Sequence, residues 1–279
     1  MKPIAFAGLF AALTLAASAA DAAENSVKLW RLDCGTVQVN NLDLFSDTYL
    51  YAGQKRQLTA SCYLIQHGAD YMIWDTGLPA GLKGAKLDDK APLSPTLATT
   101  IAEQLATLKL DPKQIAMVGI SHYHFDHVGQ AATFPQAKLL IGKADFEALK
   151  TEPLPFGADP SLLAPWLKDG APSEQVSGDK DIYGDGSVTM LSMPGHTPGS
   201  YALLVRLAKK GPVLLSGDVV HFEEQFKAHG VPSFNTDRAE SLASMDRLQT
   251  MAKSLKATLV VQHDANDTTK LPAFPKAAE

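Results

Sequence analysis

The chain lacks an excess of positive charge: 25 Lys and Arg face 30 Asp and Glu, a net charge of -5. No global positive field exists to hold a phosphate backbone or an anionic lipid surface, so neither nucleic acid nor membrane is an expected partner. Long polar linkers and repeats of solenoid period are also missing, which argues against independent domains and stacked arrays. With two cysteines, Cys34 and Cys62, at most one internal bridge can form. What remains is 279 residues, 46% hydrophobic and 20% charged, ordinary globular composition with enough length for a substantial core.

The N-terminus reads differently from the rest. Lys2 precedes an apolar stretch from Ile4 to Leu15, then small residues from Ala16 to Ala23. That is the grammar of a secretory leader, and the apolar part falls short of the roughly 20 residues of a membrane span. Residues 1–22 are expected to be a signal peptide cleaved between Ala19 and Ala23, with the mature domain over 26–279 and a periplasmic or secreted location. Export would let Cys34 and Cys62 pair, although Cys62 in the alternating SCYLIQ segment also suits a small buried thiol. Neither cysteine has a histidine beside it in sequence, so neither reads as a nucleophile.

Strands are expected at Val27–Asp33, Ser61–Gln66 and Tyr71–Trp74, then, after a Pro/Gly/Lys-rich connection from Leu78 to Pro95, a helix over Thr96–Leu108. A strand at Ile115–Ile120, a short helix at His127–Thr133, a strand at Lys138–Ile141 and a helix at Ala144–Lys150 follow. Beyond a Pro-rich stretch from Thr151 to Pro172, strands recur at Asp181–Tyr183, Val188–Ser192, Tyr201–Leu207 and Val213–Ser216. The periodicity of Leu242, Met245, Leu248, Met251 and Leu255 gives a helix over Asp237–Leu255, then a buried-type strand at Thr258–Gln262 and a loop-like tail. Strands, helix, strands again and a final helix suggest two sheets covered by helices, a layered α/β sandwich.

Of eight histidines, three fall in ISHYHFDHVG, residues 120–129, directly after an apolar strand. His122, His124 and Asp126 share parity, so an extended segment would point them to one side and His127 to the other. One short loop could then serve two metal ions, and imidazole with carboxylate suits zinc and other borderline divalent metals. Further ligand-capable residues stand at strand ends: His196 in MPGHTPGS, Asp218 in SGD, and His263 in VVQHD. Each alone reads as a turn or capping residue; together they sit where sites on layered α/β folds gather.

HYHFDH, PGHTPGS, SGD and VVQHD, in that order, resemble the metallo-β-lactamase superfamily over essentially the whole mature chain. The resemblance implies an αβ/βα four-layer sandwich, two mixed sheets flanked by helices, with a dinuclear centre at one edge. It would place His122, His124 and His196 on a first divalent ion and Asp126, His127 and His263 on a second, with Asp218 bridging and zinc the expected metal. Trp74-Asp75-Thr76-Gly77 resembles the family's strand-end motif, in which the aspartate supports the metal loop from behind.

Within the superfamily, the bridging carboxylate agrees with lactone and ester hydrolases more than with many antibiotic-hydrolysing members. About 20 residues between Gly199 and Asp218 leave no room for the insertion of the nuclease branch, and the oxygen reductases resemble HxExD rather than HYHFDH. SCYLIQHG, WDTGLP, SHYHFDHVG, MPGHTPGSY and VPSFNTDRAESLASMDRL are most similar to N-acyl-homoserine lactonases. That branch implies ring opening of a small-molecule lactone by a metal-held hydroxide, in a monomer or homodimer. In well-known members a tyrosine shortly after the bridging aspartate contacts the lactone; here His221 aligns with it. His221 and Asp126 are therefore the candidate catalytic proton donors. Another ester, a thioester, a β-lactam, an organophosphate, or metal binding without turnover are the alternatives. For an apolar pocket wall the candidates are Leu44, Phe45, Tyr49 and Tyr51 in the insertion Asn40–Leu58, Phe156 and Trp166 in the Pro-rich stretch, and Phe222 and Phe226.

Overall fold

The computed structural model describes residues 26–279; the expected signal peptide lies outside them. Among the described residues twelve strands occur, in the order β1 (Val27–Val39), β2 (Arg56–His67), β3 (Asp70–Trp74), β4 (Leu93–Thr96), β5 (Ile115–Gly119), β6 (Lys138–Gly142), β7 (Ser173–Val176), β8 (Lys180–Asp181), β9 (Val188–Ser192), β10 (Tyr201–Leu207), β11 (Gly211–Leu215) and β12 (Thr258–Val260). They form a seven-stranded sheet, β4-β1-β2-β3-β5-β6-β7, and a five-stranded sheet, β12-β11-β10-β9-β8. Both are mixed: β3, β5, β6 and β7 run parallel, as do β11 and β12, and the other pairings are antiparallel.

The two-residue alternation of strands explains the layering. β2 sends Tyr63 and Ile65 to a core shared with Met72, Trp74, Leu203, Val205 and Leu215, so this cluster fills the space between the sheets. Its neighbours Cys62 and Leu64 face the opposite way, into a core with Ile101, Leu105 and Phe134 under the helices of the larger sheet. Likewise Ala202 and Leu204 of β10 meet Met245 and Leu248 of the helix Arg238–Leu255 on the outside of the smaller sheet. Each fully buried Leu or Ile contributes about 1.5–3 kcal/mol. Three cores between four layers give the αβ/βα sandwich that the motifs implied.

Local signals account for where elements start. Thr100 and Glu103 form a reciprocal capping box, so the first described α-helix runs Ile101–Thr107 rather than from Thr96, which ends β4. Asp237 caps the long helix by accepting from the Glu240 amide. Two edge strands, β4 and β7, were hidden in segments whose prolines and polar residues read as loop, in keeping with proline's tolerance at sheet edges. Cys34 and Cys62 form a disulfide, so of the two readings left by the sequence the bridge is the one adopted. Among the described residues no helix is long and apolar enough to cross a membrane.

Candidate metal centre

β3 and β5 are parallel, as are β11 and β12, and β9 runs with β11 because each pairs antiparallel with β10. The C-terminal ends of these strands lead into Asp75, the 122–127 loop, His196, Asp218 and His263. All the metal-ligand candidates converge there. One cluster of potential ligand atoms unites His122, His124, His196 and Asp218; a second unites Asp126, His127 and His263, each within 4.8 Å of one another. In the first, His122 Nε2, His124 Nδ1 and His196 Nε2 lie 3.0–3.2 Å apart. Between the clusters stands Asp218, with Oδ1 3.3 Å from His127 Nε2 and 3.0 Å from His263 Nε2, and Oδ2 3.5 Å from His196 Nε2.

The parity argument holds for His122 and His124 and fails at Asp126. The chain turns into a short helix, Phe125–Val128, immediately after His124, so Asp126 and His127 are one helical step apart rather than on opposite faces. Both consequently join the second cluster. The expected helix at His127–Thr133 is instead this turn and a 3-10 segment, Ala131–Thr133.

The outer ring nitrogens show which lone pairs point inward. His127 Nδ1 lies 3.0 Å from Asp75 Oδ2, His196 Nδ1 2.8 Å from Asn235 Oδ1, and His263 Nδ1 2.6 Å from the Thr59 carbonyl oxygen. Each partner can only accept, so each Nδ1 carries the hydrogen and each Nε2 presents a lone pair to the centre. Asp75, at φ 56°, also accepts from the Ser121 amide at 2.7 Å and thus holds the metal loop from behind. Gly217 supplies the left-handed turn ahead of Asp218, where a Cβ would lie 2.6 Å from the Tyr201 carbonyl oxygen.

Electrostatics favour a cation. Burial pulls His122 and His196 well below the usual imidazole range and His124 down to about 4, so these rings stay neutral and keep their lone pairs. Burial also opposes charge on His127 and His263, but the carboxylates, Asp218 first, outweigh it and raise both. Asp218 would be raised by burial, yet the imidazoles around it, led by His127 and His263, hold it well below the carboxylate range. His127 Nε2 and Asp218 Oδ1 are buried without a hydrogen-bond partner, two orphaned atoms facing one another. Three imidazoles kept neutral, two more whose raised affinity for a proton marks a site prepared for positive charge, and the carboxylate of Asp218 held anionic among them are what divalent ions require, a metal taking the place of the protons on His127 and His263, and the residues fit two ions.

Above the centre opens a narrow cleft, lined by His124, Asp126, Asp218, His221 and His263 at its base and by Val37, Phe45, Leu58, Phe156 and Phe234 on its sides. His221 lies with Nε2 3.2 Å from Asp218 Oδ2, its ring edge-on to Phe45 at 5.0 Å, and its Nδ1 buried without a partner. Gly157, at φ +74°, packs so closely that a Cβ would lie 2.4 Å from His124 Cδ2. This seats Phe156 over the cleft, 5.2 Å from Phe234.

Several wall candidates lie elsewhere. Trp166 is buried in the larger sheet's core, donating to the Ala137 carbonyl, because its apolar face finds more cover there than in the cleft. Phe222 fills the same core against Tyr51, Phe226 packs on the long helix side, and Tyr49 stands exposed at a loop tip. Leu44 packs against the core. Phe45 and Phe156 do line the cleft. Sequence reasoning missed Phe234, Asn235 and Thr59. Thr59 acts through a backbone oxygen, which no side-chain pattern reveals, and Phe234-Asn235 sit in a loop just before the Asp237 cap.

Such a fold and centre define the class of dinuclear-metal α/β sandwich proteins. A family model of the metallo-beta-lactamase superfamily matches residues 56–263, and the chain belongs to that superfamily. It is 28% identical over 264 residues, 90% of this chain and 97% of the relative, to the N-acyl homoserine lactonase AttM of Azorhizobium caulinodans. Among solved structures, it resembles an N-acyl homoserine lactone hydrolase with N-hexanoyl-L-homoserine bound at its catalytic metal centre (TM-score 0.76, 22% identity, 91% of this chain and 99% of that one). The dizinc quorum-quenching lactonase AidC is similar as well (TM-score 0.64, 18% identity, 91% and 90% coverage).

Proposed function

We propose that the protein is a hydrolase that opens the ring of N-acyl-homoserine lactones, using two divalent ions, zinc foremost. The observation that carries this reading is the pair of ligand clusters that meet at Asp218, which belongs to the first and contacts His127 and His263 of the second, at the base of an apolar cleft. His122, His124 and His196 would hold one ion, Asp126, His127 and His263 the other, with Asp218 between them. When bound, the ions would supply Lewis acidity and a hydroxide at neutral pH.

The chain's own residues do the rest. Phe45, Phe156 and Phe234 shed water from the cleft and offer an apolar seat to an acyl chain. Addition of water to the lactone carbonyl breaks the ring C–O bond, and the leaving oxygen takes up a proton to become the homoserine hydroxyl. His221 is placed to hold or deliver that proton: it borders the cleft, one nitrogen faces Asp218, and its main chain is fixed by Gln225 Oε1 at 2.8 Å. Asp126, half-buried at the cleft base, is the other group within reach. Nearly full-length relatives named as N-acyl homoserine lactonases support this substrate. Export is proposed with it: the leader grammar of residues 1–22 and the Cys34–Cys62 bridge both favour an oxidising compartment.

The test is pH-monitored hydrolysis of short- and long-chain N-acyl-homoserine lactones beside nitrocefin and a glutathione thioester. Metal-replete protein is expected to acidify the lactone reactions alone, and Asp218→Ala to lose both metal and turnover. Turnover confined to nitrocefin or the thioester would replace the substrate, and wild-type turnover in Asp218→Ala would remove the assigned centre.

A further inference from the structure

Asp145 has no place in the ligand set, yet it is fully buried at the start of the helix Lys143–Ala148. Its carboxylate does not cap that helix. Oδ2 accepts from the Tyr123 amide at 3.1 Å and from Thr197 Oγ1 at 2.8 Å, and Oδ1 accepts from the Gly199 amide at 2.6 Å. Tyr123 lies between His122 and His124; Thr197 follows His196. One carboxylate therefore ties together the two loops that carry all three histidines of the first cluster.

The surrounding sequence is shaped to this contact. A Cβ on Gly199 would lie 2.5 Å from the Asp145 amide nitrogen and 2.9 Å from its Cγ, so only glycine lets the PGHTPGS loop approach. Burial raises the Asp145 carboxyl to about 7, against the three donors, the Thr197 hydroxyl first, that lower it. A buried carboxylate is costly unless its partners are well placed, and only a carboxylate can accept from all three at once. An asparagine, in either orientation, would aim its NH2 at the amide of Gly199 or of Tyr123.

The second cluster has separate supports. Asp75 holds His127 through Nδ1, Thr76 donates to the His127 carbonyl through both its amide and its hydroxyl, and the Thr59 carbonyl holds His263. We propose that Asp145 is a positioning residue that sets the spacing of His122, His124 and His196, and thereby the affinity of the first metal site but not of the second. It rests on the metal reading of the centre given above.

Two single-site backgrounds test it. His263→Ala leaves the first cluster as the binding group, and His196→Ala leaves the second. Zinc affinity is measured by competition with a chromophoric chelator, and geometry by the visible spectrum of the cobalt-loaded protein. Asp145→Asn is expected to weaken binding about 10- to 100-fold and alter the cobalt spectrum in the His263→Ala background, with little change in the His196→Ala background. Equal losses in both backgrounds would reduce Asp145 to a general stabiliser, and no loss in either would remove its role; both overturn the proposal. Should Asp145→Asn fail to fold, Thr197→Val removes a single donor, and a several-fold loss confined to the first site is expected. Wild-type protein that binds no divalent ion would remove the metal reading itself, an outcome distinct from two bound ions with an indifferent Asp145→Asn.

Discussion

The base and the sides of the cleft are built on different principles. At the base, His122, His127, His196 and His263 are almost wholly buried, and three of the four have an outer nitrogen on an obligate acceptor. On the sides, Phe156 is 59% exposed, and Phe45, Phe156 and Phe234 touch their neighbours through ring contacts of 5–6 Å. Directed hydrogen bonds orient three imidazoles of the base, whereas dispersion and area hold the sides. Chemistry is thus assigned to the rigid part and substrate choice to the adaptable one. Variants at the two levels should separate into effects on turnover and effects on substrate affinity.

The largest effect is expected at the border. His221 shares the cleft with the phenylalanines but faces Asp218, so it belongs to the base if it handles a proton and to the sides if it merely packs against Phe45. General acid catalysis contributes about 10²- to 10⁴-fold, so His221→Phe is expected to lower kcat about a hundredfold at nearly constant KM and with two ions retained. A rise in KM at unchanged kcat would move His221 to the sides and leave Asp126 as the proton donor. A smaller effect is expected at Phe234, whose ring stands 5.8 Å from His196 and 5.2 Å from Phe156. Phe234→Ala is expected to raise KM for long-chain lactones about tenfold, with less effect on short chains and little on kcat. Loss of kcat instead would mean that the wall also orders the base.

The same division explains what the sequence disclosed. Ligands need particular side chains at strand ends, so His122, His124, Asp126, His127, His196, Asp218 and His263 stood out as polar interruptions after apolar runs, and the layered sandwich followed from strand and helix periodicity. What stayed hidden was held by main chain or by area. The Thr59 carbonyl that orients His263 has no side-chain signature. Phe234 could not be told from core aromatics, and Trp166 and Phe222 were credited to the cleft although both fill the larger sheet's core. Parity failed at Asp126 because no residue in HYHFDH announces the helical turn that begins at Phe125.

The smallest effect concerns ionisation, which distinguishes a base of imidazoles from walls of hydrocarbon. Burial brings His124 down to about 4 from an ordinary 6.5, against the pull of Asp126 and Asp218. A folded value below the unfolded one means that the unfolded chain binds more protons between roughly pH 4 and 6.5, so this histidine makes stability rise with pH across that window and fall as the solution is acidified. His122 and His196 act in the same direction, His127 and His263 in the opposite one. In chelator-treated protein, urea unfolding between pH 4 and 6.5 is expected to lose part of its slope in His124→Gln, at most about 1.4 kcal/mol per pH unit. Val37→Ala, on the cleft wall and buried in the larger sheet's core, should shift stability equally at every pH, because a hydrocarbon side chain carries no proton. If His124→Gln kept the wild-type slope while Val37→Ala changed it, burial of His124 would not be what keeps its lone pair free, and the contrast between base and wall would lose its electrostatic half.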